Sequence, residues 1–375
     1  MKDIQCYPVD ENFLAHSSAE GRLYLLNATG HLILEHLKAC LTIGEIAADL
    51  SRCYGVAIET ATADVEAAIR EWHQIGLWPA TGTLPSSDQG LDAFSPALSN
   101  PINVTRYYEL PGMRFSVRYD RDAMEMLCHT RFSAIETIRP SAVDTELEIL
   151  WEGSQWVVTR DGRELTRTVS PNEARVELLT AMLTSCYPDL QIMAMIHAGV
   201  VAKENKAVLL PATTQGGKST LTAALVHAGF RFLSDDTAAI DGPSGRVHPF
   251  PLGLSLRTGS WPIVERMFPE LRDVPALCLP HETVKVMALP LARTVREPLS
   301  VSIVIFPSYG SRRTNALHVL SLSRALVHLS DAGFWVPLQG GHVPRFLDWL
   351  RPIRCYHLEY STIDAALQLI GELSL

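Results

Sequence analysis

The residues with the most chemistry per position in this 375-residue chain are Pro211-Ala212-Thr213-Thr214-Gln215-Gly216-Gly217-Lys218-Ser219-Thr220. Glycines at 216 and 217 let the backbone turn sharply and aim N–H groups at phosphate oxygens, and a helix beginning there adds its positive end. Lys218 brings a mobile positive charge to the outer phosphates of a nucleotide, and Ser219 a hydroxyl of the kind that ligates Mg²⁺. The expected ATP- and phosphate-binding residues are therefore Thr213, Thr214, Gln215, Gly216, Gly217, Lys218, Ser219 and Thr220. Further on, Asp235 and Asp236 close an apolar stretch, Phe230 to Leu233, and two adjacent acids there can hold Mg²⁺ and accept a proton. Upstream, His197 interrupts an apolar run from Ile192 to Val201. Taken alone, such a histidine reads as an ordinary core residue.

The neighbouring sequence supplies elements that can position these groups. Ala207, Val208, Leu209 and Leu210 read as a strand buried on both faces, ended by Pro211. Leu221, Ala224 and Leu225 then share one helical face until Gly229 offers a stop. Strand, glycine-rich loop and helix form the context that separates a phosphate loop from a fortuitous Gly-Gly-Lys-Ser. If the sheet is parallel, acids at the carboxyl end of the next strand face the nucleotide crevice. One departure stands out: Ala212 occupies the place where such loops open with glycine, and its Cβ restricts the first turn.

Towards the N-terminus, three helical patterns follow one another. Leu32, Ile33 and Leu37 recur at helical spacing behind Asn27 and Thr29, either of which can cap. Thr42 and Glu45 have the spacing of a capping box, with Ile46, Ala47 and Leu50 facing a core. Val65, Ala68, Ile69 and Trp72 line one face from Asp64 to Gln74, and Gly76 can terminate that helix. Prolines, glycines and serines crowd residues 79–101, a linker signal. Between 101 and 195, alternation at Met113 to Tyr119, Leu147 to Trp151 and Trp156 to Val158 predicts strands, Asp161-Gly162 a turn, and Ser170-Pro171 the start of a helix running to Met182. No titratable cluster marks that stretch, which reads as a sheet shielding the rest. Val301 to Phe306 predicts one more buried strand, ended by Pro307.

Composition narrows the classes. The net charge of −9 and the lack of a Lys/Arg run are wrong for a nucleic-acid binder, while 47% hydrophobic residues suffice for a folded core. Seven cysteines without a C-x-x-C pair read as reduced thiols. The N-terminus carries acids where a signal peptide has an apolar core, and no segment has the apolar length to span a bilayer. A cytoplasmic location without membrane contact is expected.

Two resemblances add to this reading. LYLLNATGHLILEHL (23–37), LTIGEIAADLSRCYGV (41–56) and DVEAAIREWHQIGLW (64–78) resemble PqqD, a small winged-helix-like module that holds the leader segment of a ribosomally made peptide. A winged-helix DNA reader shares the three-helix pattern, but acids outnumber bases here. The resemblance implies capture of a peptide by residues 20–78, by addition of an extended strand to a sheet edge. The second resemblance rests on order: His197, a hairpin at Lys203 to Asn205, residues 211–220, then Asp235-Asp236. It is similar to HPr kinase/phosphorylase, most closely over 196–258. By that resemblance Asp235 is the general base, Asp236 orients His197 or approaches the metal, His197 tunes the base, and Ser219 and Asp236 hold Mg²⁺. The family's metal-binding glutamate is missing from PFPLGLSLRT (249–258), so the reverse, phosphorylase, reaction is not expected; Arg257 can neutralise phosphate charge instead.

The expected architecture is a small α+β, winged-helix-like PqqD-type domain (1–78), a linker (79–101), and an α/β P-loop kinase domain of the HPr kinase-like kind, a mixed sheet flanked by helices (102–375). The expected function is transfer of the γ-phosphoryl group of ATP, with Mg²⁺, to a Ser/Thr-type hydroxyl of a peptide precursor. A nucleotide-gated recruitment scaffold for a peptide-modifying enzyme and a small-molecule kinase are the alternatives. The scheme leaves room for a partner modifying enzyme and for self-association.

Overall fold

The structure, a computed structural model, describes residues 4–17, 22–78, 99–110, 112–213, 216–279, 282–337 and 341–374. Residues 79–98 of the expected linker, and Thr214 and Gln215 of the expected phosphate loop, lie outside the described residues. The chain divides into two compact units. The first takes residues from 1–88 together with 320–327 and 336–352; the second takes 89–319, 328–335 and 353–375.

In the first unit, strands β1 (Ile4–Val9), β2 (Asn12–Ser17) and β3 (Arg22–Asn27) form an antiparallel sheet in the order β1-β2-β3. These strands were not legible as such, since residues 4–27 are short segments of mixed polarity. Helix α1 (Ala28–Lys38) begins where the Asn27 side chain accepts the Gly30 N–H, so Asn27, not Thr29, is the cap. Helix α2 (Ile43–Tyr54) has the complete capping box: Glu45 N–H donates to Thr42 Oγ1, and Thr42 N–H to Glu45 Oε2. Helix α3 (Ile58–Ile75) starts six residues before the expected Asp64, without a side-chain cap, and stops at Gly76 in the left-handed region. Ile33, Leu34, Ile46, Ala47, Leu50, Val65 and Trp72 bury the shared core.

The second unit opens with β4 (Pro101–Leu110), β5 (Met113–Arg121), helix α4 (Asp122–Phe132), β6 (Glu136–Thr137), β7 (Thr145–Glu152), β8 (Gln155–Arg160), β9 (Arg163–Thr168) and helix α5 (Pro171–Cys186). The strands make one six-stranded sheet, and its buried side chains, among them Tyr108, Phe115, Tyr119 and Trp156, pack with Met124, Phe132, Leu178 and Met182 of α4 and α5. Asp161 and Gly162 both have positive φ, as the tight β8–β9 turn requires. Ser170 caps α5 by accepting the Glu173 N–H. Helix α4 was not anticipated, because its apolar positions do not form one stripe.

Then follow β10 (Ile192–Ile196), β11 (Ala198–Lys203), β12 (Lys206–Pro211), helix α6 (Lys218–His227), β13 (Arg231–Ser234), β14 (Ala238–Asp241), β15 (Arg246–His248), β16 (Leu254–Arg257), helix α7 (Trp261–Met267), β17 (Leu277–Leu279), β18 (Glu282–Met287), β19 (Leu299–Tyr309) and β20 (Ala316–Val319). Helix α8 (Leu322–Ala332), β21 (Phe334–Trp335), helix α9 (His342–Leu350), β22 (Arg354–Tyr360) and helix α10 (Ile363–Gly371) complete the chain. A ten-stranded mixed sheet runs β13-β11-β12-β19-β15-β14-β10-β21, with β22 joining β19 and β20. Its middle is parallel, β12 with β19 and β19 with β22. A three-stranded sheet, β16-β18-β17, lies apart from it in pairing. Pro307 does not end β19; it sits inside the strand beyond Val304, the last residue paired with β12, where a missing N–H is tolerated. No helix among the described residues is long and apolar enough to cross a membrane.

Helix α6 is buried nearly all round, from Leu221 to Val226. It lies so close to β11 that a Cβ on Gly199 would come within 2.3 Å of Thr222 Oγ1. Thr222 is fully buried and donates to Lys218 O, so it has little room to yield. Gly199→Ala is therefore expected to cost about 1–3 kcal/mol, the range for overpacking a tight core. Denaturant unfolding of the single variant and of Gly199→Ala/Thr222→Ala checks this, the second change recovering part of the loss.

Candidate functional site

The apolar strand β12 delivers the chain to Ala212 and Thr213, and the turn closes where Gly216 N–H donates to Thr213 O at 3.0 Å. Gly217 has φ +85°, and a Cβ there would meet the Tyr360 hydroxyl at 2.4 Å, so both backbone conformation and space require glycine. Ala212 is tolerated: its Cβ would stand 3.0 Å from a Cβ at Gly216, which glycine does not have. Helix α6 follows with no side-chain cap on its first turn, which leaves N–H groups available to an anion.

Lys218 opens that helix, and its side chain is 10% exposed. Its Nζ donates to Asp236 Oδ1 at 2.9 Å and to the Asp235 backbone oxygen, and lies 3.8 Å from Asp235 Oδ1. Burial, against the pull of Asp235, lowers the amine to about 8. Asp235, 3% exposed, is held through Oδ2 by the Ser219 hydroxyl at 2.7 Å and the Ser255 N–H at 3.0 Å. Its other oxygen, Oδ1, is buried without a hydrogen bond. Asp236 is more open and carries a second ion pair, to Arg131.

His197 lies between β10 and β11, its backbone N–H donating to Gly333 O at 2.8 Å. Its Nδ1 is 3.1 Å from the Asp236 backbone oxygen and 3.7 Å from Asp236 Oδ1. Burial first, and then the positive charges of Lys218, Arg131, Arg175 and Arg257, pull the imidazole down to about 3. The three expected catalytic residues thus come together with Lys218 and Ser219. Thr213 is exposed beside the turn and Thr220 lies in the first turn of α6. Arg257 stands at the end of β16, ion-paired to Glu282. Ser219 and Asp236 offer a hydroxyl and a carboxylate, oxygen ligands of the kind a hard cation such as Mg²⁺ takes, while Asp235 Oδ1 is left without a hydrogen bond.

The stretch 101–195 is chemically richer than its sequence implied. Arg131 on α4 pairs with Asp236, and Arg175 on α5 is near enough to act on His197. Burial, then the charge of Arg175, lowers Arg131 to about 10. The only sequence signal was an arginine in each helix flanked by residues that bury, Cys128 and Phe132 in one, Ala174 and Leu178 in the other. Glu282, from β18, comes beside Arg257.

Residues 13–77 match the family model described as coenzyme PQQ synthesis protein D (PqqD). The match spans β2 to the end of α3, so a small α+β PqqD domain precedes mixed α/β sheets, and it does not extend into the second unit. No curated protein matches the chain.

The environment of His197 has a measurable consequence. An unfolded histidine takes up a proton near 6.5, whereas native His197 stays neutral down to about 3. Between those values the unfolded chain binds more protons, so this group's contribution makes stability fall as pH drops through that window. In NMR spectra, with the signal assigned by its loss in His197→Ala, the imidazole resonance is expected not to titrate from pH 8 to 5. A midpoint near 6.5 would mean that neither burial nor the surrounding cations act on it.

Proposed function

We propose that the chain is an ATP-dependent phosphotransferase acting on a hydroxyl of a peptide captured by its PqqD domain. The observation that carries this reading is Asp235: a buried carboxylate, fixed through one oxygen by Ser219 and Ser255, its other oxygen without a hydrogen bond and 3.8 Å from the Lys218 amine. A proton acceptor held in that way, at the head of an uncapped helix that begins with lysine, has the parts phosphoryl transfer needs.

In this reading the α6 N–H groups and Lys218 bind the phosphates, and Lys218 gives up its contact with Asp236 to do so. Ser219 and Asp236 would hold Mg²⁺, which supplies charge neutralisation across the phosphates. Asp235 Oδ1 takes the proton of the acceptor hydroxyl as its oxygen bonds to the γ-phosphorus and the bond to the β–γ bridging oxygen breaks, releasing ADP. His197, neutral, keeps the Asp235-Asp236 backbone in place through the Asp236 carbonyl. Arg131 compensates Asp236 so that Lys218 is free to turn to phosphate. Positioning and charge account for most of the rate gain, since little covalent work falls to the protein.

The PqqD domain supports the peptide part. Strand β3 is an edge of its sheet among the described residues, and Leu25 on it is 37% exposed. Tyr24 and Arg22 donate to Ile75 O, tying β3 to the end of α3, and an incoming strand would add along β3.

The test is mass spectrometry of a candidate precursor peptide incubated with ATP, Mg²⁺ and each protein. Lys218→Ala is expected to lose ATP binding and phosphopeptide together. Asp235→Asn is expected to retain ATP while phosphopeptide formation falls by about 10²–10⁴-fold, the range for losing a general base. ATP-dependent peptide affinity with no phosphopeptide from wild type would identify a nucleotide-gated scaffold instead.

A further inference from the structure

Beside the acid pair the second unit has a cavity of about 170 Å³. Thr130 and Arg131 of α4, Asn172 and Arg175 of α5, Ser255 of β16 and Glu282 of β18 line it. Two of these are already part of the candidate site: Ser255 holds Asp235 Oδ2 through its N–H, and Arg131 pairs with Asp236. The cavity therefore adjoins the carboxylate proposed to accept the hydroxyl proton. It is small. Pockets for whole drug-sized ligands run to about 300–1,000 Å³, so this one suits a compact group and not an entire nucleotide.

Its charges are unevenly compensated. Arg131 has Asp236, and Glu282 has Arg257. Arg175 has no carboxylate partner among the described residues; its guanidinium donates only to the Asn172 side-chain oxygen, at 2.7 Å. A half-buried cation without a counter-ion is costly, and a planar guanidinium is matched best by a carboxylate that can accept two of its N–H groups.

We propose that this cavity is the acceptor subsite and that Arg175 binds a carboxylate of the acceptor adjacent to the hydroxyl that is phosphorylated. The proposal rests on the phosphotransferase reading and narrows its substrate class to hydroxyl-bearing peptides with an acidic group next to the acceptor position. Arg175 would fix the acceptor by its carboxylate while Asp235 meets the hydroxyl. Neutral acceptors would leave the cation unpaired and be rejected.

Isothermal calorimetry on the full chain tests this with three probes: malonate, inorganic phosphate and ATP with Mg²⁺. Wild type is expected to bind malonate saturably. Arg175→Gln is expected to weaken malonate by roughly tenfold or more, the worth of one charged hydrogen-bonding partner, and Arg175→Lys by less. ATP affinity should be the same in all three proteins. The melting temperature of Arg175→Gln should not fall, because the change removes an uncompensated charge; a residue with a purely structural role would lower it.

Absence of malonate binding to wild type, or equal binding to Arg175→Gln, overturns the proposal. So does loss of ATP in step with malonate, which would put Arg175 in the nucleotide site, and so does an Arg175 dependence seen for phosphate and not malonate. If malonate follows Arg175 while ATP binds none of the proteins, the carboxylate site stands and the phosphotransferase reading falls.

Discussion

A lysine amine taken out of water at the first turn of a helix is the constraint on which the candidate site depends. Lys218 is buried because α6 is buried, and α6 is buried because its Leu221–Val226 face and Gly199 allow it to lie against β11. Such a charge is stable only with partners, and the chain supplies Asp235 and Asp236 at the end of β13. Those acids in turn need their own donors: Ser219 and Ser255 on one, Arg131 on the other. The result is an alternating cluster of charges and donors drawn from α4, α6, β16 and the end of β13, with one buried carboxylate oxygen lacking a hydrogen bond. Low local dielectric makes each of these pairings strong, and makes any unpaired member a point where a ligand would be welcome.

What could be read from the sequence was what short stretches decide. The capping box of α2, the Ser170-Pro171 start of α5 and the Asp161-Gly162 turn are local backbone chemistry, and all three are present. The order strand, loop, helix at 206–227 is equally local. Long-range partners were hidden. Arg131 and Glu282 meet their acids and bases across 105 and 25 residues of chain respectively, and nothing near them in sequence announces those contacts. Helix α4 lacked a single apolar stripe because it is covered on more than one side, with Met124, Cys128, Thr130 and Phe132 all buried. Pro307 misled because a proline inside a strand is harmless once one flank has no ladder.

The PqqD match and the charge cluster concern different stretches of the chain, residues 13–77 and residues 131–282. A module that holds a peptide by backbone pairing raises the local concentration of whatever follows in that peptide, and the second site then needs only modest affinity of its own. In the proposed reading the edge strand would read the substrate's identity, and a few charged groups at the cavity the acceptor position.

The most direct measurement of the central claim, that Lys218 is a phosphate-binding amine kept in readiness by acids, is the proton balance of ATP binding. The free amine loses its proton as pH rises through about 8. Bound phosphate favours the charged form, so binding between pH 8 and 9 must draw a proton from the buffer. Titration of ATP with Mg²⁺ by calorimetry in two buffers of different ionisation enthalpy is expected to show that uptake in wild type and none with Lys218→Arg, whose guanidinium stays charged throughout that range. Binding without proton uptake, or no binding by a folded wild-type protein, would contradict the account.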